Sequence, residues 1–392
     1  MTGSEKQQSW TGRRRIQAAF DHRPVDRVPR FDQTVYSNVA SAALGRELLV
    51  GGGSLRFAEV EARFKGKDAA AQFEERLLED VSYFYRSLGY DMARLPWRDT
   101  RQPAAKLDEL TYLFGDRTRE GPWEVYRYSP ESHNWHGVDG WLAGGDVDRL
   151  CAHFESLGGS WPGPDRDPGR FASLERFKKL IGDGPALAAT VASLGIPMWE
   201  PAWLMAVELA PGLVAEELDR QCEQGLEDLG LAAEIGVDVA LAGMDCCLNT
   251  GPAFSPRAFE KLLVPRLKRI TDKCNEVGIR YVFRTDGNTW PVADLLFGAS
   301  GVHGYGEIDH QAGMRLAGLR KRFPRLTLLG NLECGGVLVS GTAEEVRRAV
   351  RDNLEETGGT GHIFGASNAI MTETPVENYL AMLDEAGRFR PG

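Results

Sequence analysis

From Leu174 to the C-terminus the chain keeps one rhythm. Short apolar runs alternate with amphipathic segments in units of about 30–40 residues, the mark of repeated strand–helix units. Parallel strands require such long crossovers, because each connection must return to the starting end of the sheet. The runs predicted as strands are Ala186–Thr190, Val237–Leu241, Arg280–Phe283, Gly301–Tyr305, Thr327–Gly330 and His362–Phe364. Two earlier runs, Val28–Phe31 and Tyr90–Leu95, bring the count to eight. Ser255-Pro256 reads as a helix start that Gly278 closes. Thr342-Ala343-Glu344-Glu345 and Thr374-Pro375-Val376-Glu377 read as capping boxes. The expected fold is a (β/α)8 TIM barrel of the α/β class.

The first half is less regular. Gly12 to Phe20 reads as a short helix. Leu44–Lys67 reads as loop with helical pieces, and Phe73, Leu77, Val81, Phe84 and Leu88 mark a helix stopped by Gly89. Over residues 97–170 no helical period lasts, and Trp, Tyr, Gly, Asp and Pro dominate. That stretch is predicted to be a β-rich insertion near the barrel mouth, with a helix near Asp146–Leu157. A barrel of this kind takes about 250 residues and tolerates insertions. The 392 residues are therefore read as a single domain, 1–392, with an N-terminal tail over 1–11.

Composition narrows the function. A net charge of −10 argues against nucleic acid or an anionic membrane as partner. Ala186–Leu194, among the longest apolar runs, is too short to span a bilayer, and Met1–Trp10 is polar, unlike a signal peptide. The expected location is cytoplasmic. Six cysteines without framework spacing are expected to be reduced thiols.

In a parallel barrel, chemistry gathers where strands end. The strand ends here carry Asp32, then Asp245 with Cys246 and Cys247, then Arg284-Thr285-Asp286-Gly287-Asn288. Tyr305-Gly306-Glu307, Asn331-Leu332-Glu333-Cys334 and Ser367-Asn368 follow. Arg284, Asp286, Asp245 and Glu307 are the candidate catalytic residues: Arg284 to hold an anionic group, Asp286 as general acid or base, and the other two to orient substrate. Asp32, Tyr305, Asn288, Asn331, Glu333 and Asn368 are candidate substrate contacts. The bland alternative is an Arg284–Asp286 pair that only ties two loops together. Cys246, Cys247 and Cys334 suit packing better than a thiolate metal site. His133, Trp135, His136 and Trp141 are candidates for a lid over the mouth, and His362 for a hydrogen-bonded core histidine.

These phrases resemble the uroporphyrinogen decarboxylase superfamily. Arg23-Pro24-Val25-Asp26-Arg27-Val28-Pro29 resembles its opening, and Asp245 with Gly251-Pro252-Ala253-Phe254-Ser255-Pro256 its fourth-strand loop. Asp286-Gly287-Asn288 is similar to its turn after strand five, and Gly330-Asn331-Leu332-Glu333 with Gly341-Thr342-Ala343-Glu344-Glu345-Val346 to its seventh unit. Glu377-Asn378 with Ala381-Met382 is similar to its final helix. The likeness is dense from about Val237 onward and thin between residues 40 and 180.

The resemblance implies one of two chemistries. True uroporphyrinogen decarboxylases need no cofactor and hold their many carboxylates with an arginine-rich N-terminal phrase. After Asp32 this chain has no arginine until Arg46. The methyltransferase branch exchanges methyl groups with a corrinoid protein and holds zinc in a His-x-Cys turn after strand five plus a Cys after strand eight. The matching positions here are Arg284-Thr285-Asp286 and Ser367-Asn368, which are poor zinc ligands. The expectation is an enzyme acting on a small anionic, partly aromatic molecule, of the methyl transfer or O-demethylation type. A corrinoid protein is its expected methyl partner; no tightly bound cofactor and no metal are expected, and a homodimer is an open assembly. Cofactor-free decarboxylation by an acid–arginine site is the alternative, and a non-catalytic binding barrel the third.

Overall fold

A computed structural model describes residues 10–119, 121–157 and 161–391, so most of the tail expected over 1–11 lies outside the described residues. In chain order the strands are β1 (Met92–Arg94), β2 (Ala105–Asp108), β3 (Thr111–Gly115), β4 (Trp123–Ser129), β5 (Asn134–Gly140) and β6 (Ala186–Ala189). Then come β7 (Val239–Gly243), the two-residue strands β8 (Cys247–Leu248) and β9 (Gly251–Pro252), and β10 (Arg280–Arg284). The series ends with β11 (Gly304–Gly306), β12 (Thr327–Leu329) and β13 (His362–Ile363). Seven of them make one curled parallel sheet in the order β1-β6-β7-β10-β11-β12-β13.

The first expected strand, Val28–Phe31, is not a regular strand. Arg30 forms one parallel bridge to Phe364, and the Asp91 N–H donates to the Arg30 carbonyl at 3.1 Å on the other side. Pro29 has no N–H to give a ladder, which keeps this segment to a single bridge. Its charges are firmly held instead. Arg27 donates twice to Asp91, at 2.5 and 2.9 Å, and the backbone N–H of Arg30 adds a third bond at 2.8 Å. Of the Arg-Pro-Val-Asp-Arg phrase, Arg27 is therefore the residue tied to the buried Asp91 just before β1, while Arg23, Pro24 and Asp26 are exposed.

Alternation along the strands sorts the core. Ala186, Ala188, Val239, Leu241, Val282, Leu329 and Ile363 face one inner cluster. Leu187, Ala189, Ala240 and Ala242 join the larger core between sheet and helices. Helix α1 (Gly12–Phe20) adds Ile16, Ala19 and Phe20 to the inner cluster. It lies at the starting ends of the strands, where the Arg13 N–H donates to the Gly184 carbonyl at 2.9 Å and Arg13 Nε to Asp238 at 2.7 Å. With that end plugged, the opposite end is left for a site.

The stretch Leu44–Lys67 is more ordered than expected. Helix α2 (Ser37–Leu44) precedes it, and α3 (Gly52–Lys65) fills most of it, because Leu55, Val60 and Ala62 give it a buried face. Within α3 the glycines are Gly52 and Gly53, both in its first turn, and Gly66 caps its end. Helix α4 (Lys67–Leu88) ends at Gly89 in the left-handed conformation, as its sequence predicts. Strands β2 to β5 form an antiparallel sheet whose Tyr112, Phe114 and Trp135 pack with Val60 of α3, and α5 (Val147–Leu157) follows.

The capping signals fare unequally. Thr342 and Glu345 make the reciprocal box. Ser255 caps its helix, but a π-turn over Phe259–Leu263 interrupts it just before Pro265, whose missing N–H cannot continue the regular ladder. The second predicted box does not form: the last helix begins at Val376, and the Thr374 hydroxyl is buried without a partner among the described residues. No helix of the described residues is long and apolar enough to cross a membrane.

Candidate active site at the strand ends

Successive strands deliver the charged groups to one place. Arg284 is the last residue of β10, Asp286 lies two residues on, Asp245 two residues past β7, and Glu307 one residue past β11. The Asp286-Gly287-Asn288 turn needs its glycine: Gly287 has φ +80°, and a Cβ there would sit 2.6 Å from the Cys247 carbonyl. Glu307 itself has φ +60°, a conformation that a non-glycine residue holds only when its surroundings fix it.

Those surroundings are explicit. Arg284 Nη2 donates to Glu307 Oε1 at 2.6 Å, and both pair with the Gln33 amide, which accepts from Arg284 Nε and donates to Glu307. Two guanidinium groups lie over the Trp97 ring, Arg284 at 4.6 Å and Arg94 at 4.8 Å from its centroid. Arg94 is 1% exposed, its Nη1 has no partner among the described residues, and burial beside Arg284 lowers its pKa to about 10. The fork of Arg284 expected to grip an anion is therefore turned inward, with Nε and Nη2 already in use.

Asp286 is the group that the site tunes. Burial first, then the negative charges of Glu307, Asp245 and Asp309, push its pKa up to about 8 against the pull of Arg284. Asn368 Nδ2 donates to its Oδ2 at 2.7 Å, leaving Oδ1 to carry a proton near neutral pH. Burial and Glu307 also raise Asp245.

Asp286 and Asn368 line both of two adjoining cavities, as does Trp97. One, of about 540 Å³, is lined by Asp245, Arg284, Glu307 and the loop from Ser193 to Pro197. The other, of about 510 Å³, is lined by Tyr36, Arg56, Asp309, Glu333 and Ser367. All four candidate catalytic residues thus come together.

The candidate contacts divide. Asn368 and Glu333 face cavities; Asp32, Tyr305, Asn288 and Asn331 line neither. Asp32 is buried and accepts from the Tyr90 hydroxyl at 2.5 Å and the Ala366 N–H at 2.8 Å, a tie between strand ends. Tyr305 is buried against Phe297, with ring centroids 4.3 Å apart, and its hydroxyl donates to the Thr285 carbonyl at 3.3 Å. Asn331 Nδ2 donates to the Ile308 and Met314 carbonyls, both at 3.0 Å, and Asn288 Oδ1 accepts from the Trp290 N–H at 3.1 Å. These four hold loops in shape.

The expected lid residues also lie elsewhere. Trp135 is buried in the insertion and donates to Asp99 at 2.9 Å, and His133, His136 and Trp141 line neither cavity. His362 is a core histidine between Thr357 and the Gly330 carbonyl, lowered by burial to about 4. Cys246 is buried against Thr285, and Cys334 bonds Ser367.

Sequence reasoning missed Arg94, Trp97 and Arg56. Arg94 ends β1, so the strand-end rule applied to that strand finds it; Trp97 and Arg56 carry no motif.

Among the described residues, Asp245, Asp286 and Glu307 can each bring one oxygen within 4.8 Å of the others, an all-oxygen set suited to a hard divalent cation. The positions matched to the zinc turn do not fit zinc. Arg284 carries a fixed positive charge there, and Asn368 offers its amide nitrogen to Asp286.

Residues 216–389 match the model of the family described as Uroporphyrinogen decarboxylase (URO-D). No curated protein matches the chain. Among solved structures, a methyltransferase from Methanosarcina mazei superposes over 97% of this chain and 99% of its own, with a TM-score of 0.64 at 17% identity. The TTHB071 protein from Thermus thermophilus, in crystals soaked with ZnCl2, overlaps 57% of this chain and 87% of its own at 16% identity, with a TM-score of only 0.31. The segment matched by the family model, residues 216–389, carries the strand ends that build the acidic cluster, and over that segment the chain is similar to the uroporphyrinogen decarboxylase family.

Proposed function

We propose that the protein is a methyltransferase of the O-demethylating kind, and that Asp286 is its general acid. The observation that carries this is a carboxyl group held protonated near neutral pH on the wall shared by two cavities. Breaking an O–CH3 bond leaves an oxygen that must gain a proton. Asp286 Oδ1 donates it while Asn368 fixes the other oxygen, and Asp286 is left as the carboxylate, stabilised in part by Arg284. The methyl group leaves to an acceptor, for which a corrinoid carried by a partner protein supplies the nucleophile.

Decarboxylation is the second reading, and the same cluster disfavours it. A substrate carboxylate placed at Asp286 would meet Asp245, Glu307 and Asp309, while the Arg284 fork is already engaged. A neutral ether oxygen meets no such repulsion and accepts the proton directly.

The test is a single-turnover reaction of the purified protein with methoxylated aromatic compounds and free cob(I)alamin, followed by the absorbance of methylcobalamin. Formation of methylcobalamin that depends on Asp286 supports the proposal. Release of carbon dioxide from aryl carboxylic acids, with no methylcobalamin from any ether, would replace it with the decarboxylase reading.

A further inference from the structure

The 510 Å³ cavity is lined by three acidic residues and a single cation. The acidic residues are Asp286, Asp309 and Glu333, and Arg56, in the second turn of α3, is the only Lys, Arg or His among its lining residues. Arg56 is half-buried, and among the described residues it makes no ion pair and no hydrogen bond. The carboxylate nearest to answering it, Asp99, is taken: Arg101 binds it through Nε at 2.8 Å and Nη2 at 2.6 Å, and the Trp135 indole binds it as well. Burial and the like charge of Arg101 weaken the hold of Arg56 on its proton, while Tyr36, Asp99 and Tyr126 partly offset this. A guanidinium left half-desolvated without a partner is unusual, because a charge loses its hydration on burial unless an opposite charge replaces it.

We propose that Arg56 is the anchor for the anionic end of the substrate. The inference rests on the methyl-transfer reading for the substrate's other end, and it names a substrate class. The molecule carries a neutral methoxy group at Asp286 and a carboxylate or similar anion at Arg56, with a flat body beside the rim of Trp97 and Met371. This places the anion site on α3, in the cavity that Arg284 does not line. Polarity then fixes orientation: the anionic end is repelled by Asp309 and Glu333 and drawn to Arg56, while the neutral end meets the protonated Asp286. Arg56 is a specificity residue, since it stands away from the group that carries the proton.

The test compares the carboxylate 4-methoxybenzoate with its neutral amide, 4-methoxybenzamide, by titration calorimetry on the full chain. One charge-assisted contact corresponds to about a tenfold to hundredfold preference for the carboxylate. Arg56→Met should abolish that preference while leaving amide affinity unchanged, and Arg56→Lys should restore part of it. Equal binding of the two probes by the unaltered protein, no binding of the carboxylate, or a preference that survives Arg56→Met would overturn the proposal. The same probes with cob(I)alamin separate the two claims. A charge preference that follows Arg56 without methylcobalamin leaves the anchor standing and removes the chemistry; methylcobalamin from both probes at equal affinity does the reverse.

Discussion

Asn368 donates a 2.7 Å hydrogen bond to Asp286, joining two of the positions matched to the zinc ligands of the methyltransferase branch. Where that branch would use a metal, this chain has a carboxyl group and an amide aligned on it. The bond favours the charged form of Asp286, whereas burial and three neighbouring carboxylates favour the neutral one, and the outcome is a pKa of about 8.

A rate limited by proton donation should therefore be constant at neutral pH and fall as the pH rises through about 8. Asp286→Asn should lower kcat by about 10²- to 10⁴-fold and remove that limb. Asn368→Ala removes a donor to the carboxylate, so the limb should move to higher pH. A pH–rate profile of methylcobalamin formation for the three proteins checks all of this. A limb that stays in place in Asp286→Asn would assign it to another group.

The same group makes stability depend on pH. The folded pKa of Asp286, about 8, lies above its ordinary value of 3.8, so the folded state binds the extra proton in between. Its contribution is fully present below about pH 4 and lost as the pH rises through 8. Urea unfolding at pH 6 and pH 9 should show a smaller loss of stability for Asp286→Asn than for the unaltered protein.

Arg27→Ala leaves Asp91, which is 1% exposed, with fewer partners. Removing one member of a buried pair costs roughly 3–5 kcal/mol. Arg15, which reaches Asp91 at 3.2 Å, should hold the loss near the lower end. Urea denaturation measures it, and a change under about 1 kcal/mol would mean that the bridge at Arg30 alone holds this edge.

How legible these features were depends on what each residue type constrains. The C-terminal strands announce themselves because short apolar runs such as Val237–Leu241, observed as the strand Val239–Gly243, recur between amphipathic segments, the pattern of a parallel sheet buried on both faces. Asp286 was legible from its place two residues past a strand. The Asp32 tie was not: its partners Tyr90 and Ala366 are 58 and 334 residues away, so a buried structural aspartate reads like a catalytic one. Arg56 was hidden for the opposite reason. It lies in a stretch read as loop with helical pieces, and only the structure shows that Arg101 engages Asp99 and leaves Arg56 without a hydrogen bond or ion pair among the described residues.

The last prediction concerns metal. Arg284 fixes a positive charge 2.6 Å from Glu307, and Asp286 keeps its proton, so the acidic cluster is partly neutralised without an ion. Dialysed protein should carry well under one zinc per chain, because no sulfur or imidazole ligand stands at the matched positions. A harder cation is the sharper trial, since Asp245, Asp286 and Glu307 can bring oxygens within 4.8 Å of one another, and Glu307 Oε2 is buried without a partner among the described residues. Binding such an ion requires Asp286 to release its proton, so affinity for Mg2+ or Mn2+ should be weak at pH 6 and rise through pH 8. Calorimetric titration at the two pH values measures this. Tight, pH-independent binding that is lost in Asp286→Ala and kept in Arg284→Ala would make the cluster a metal centre and remove Asp286 as the acid.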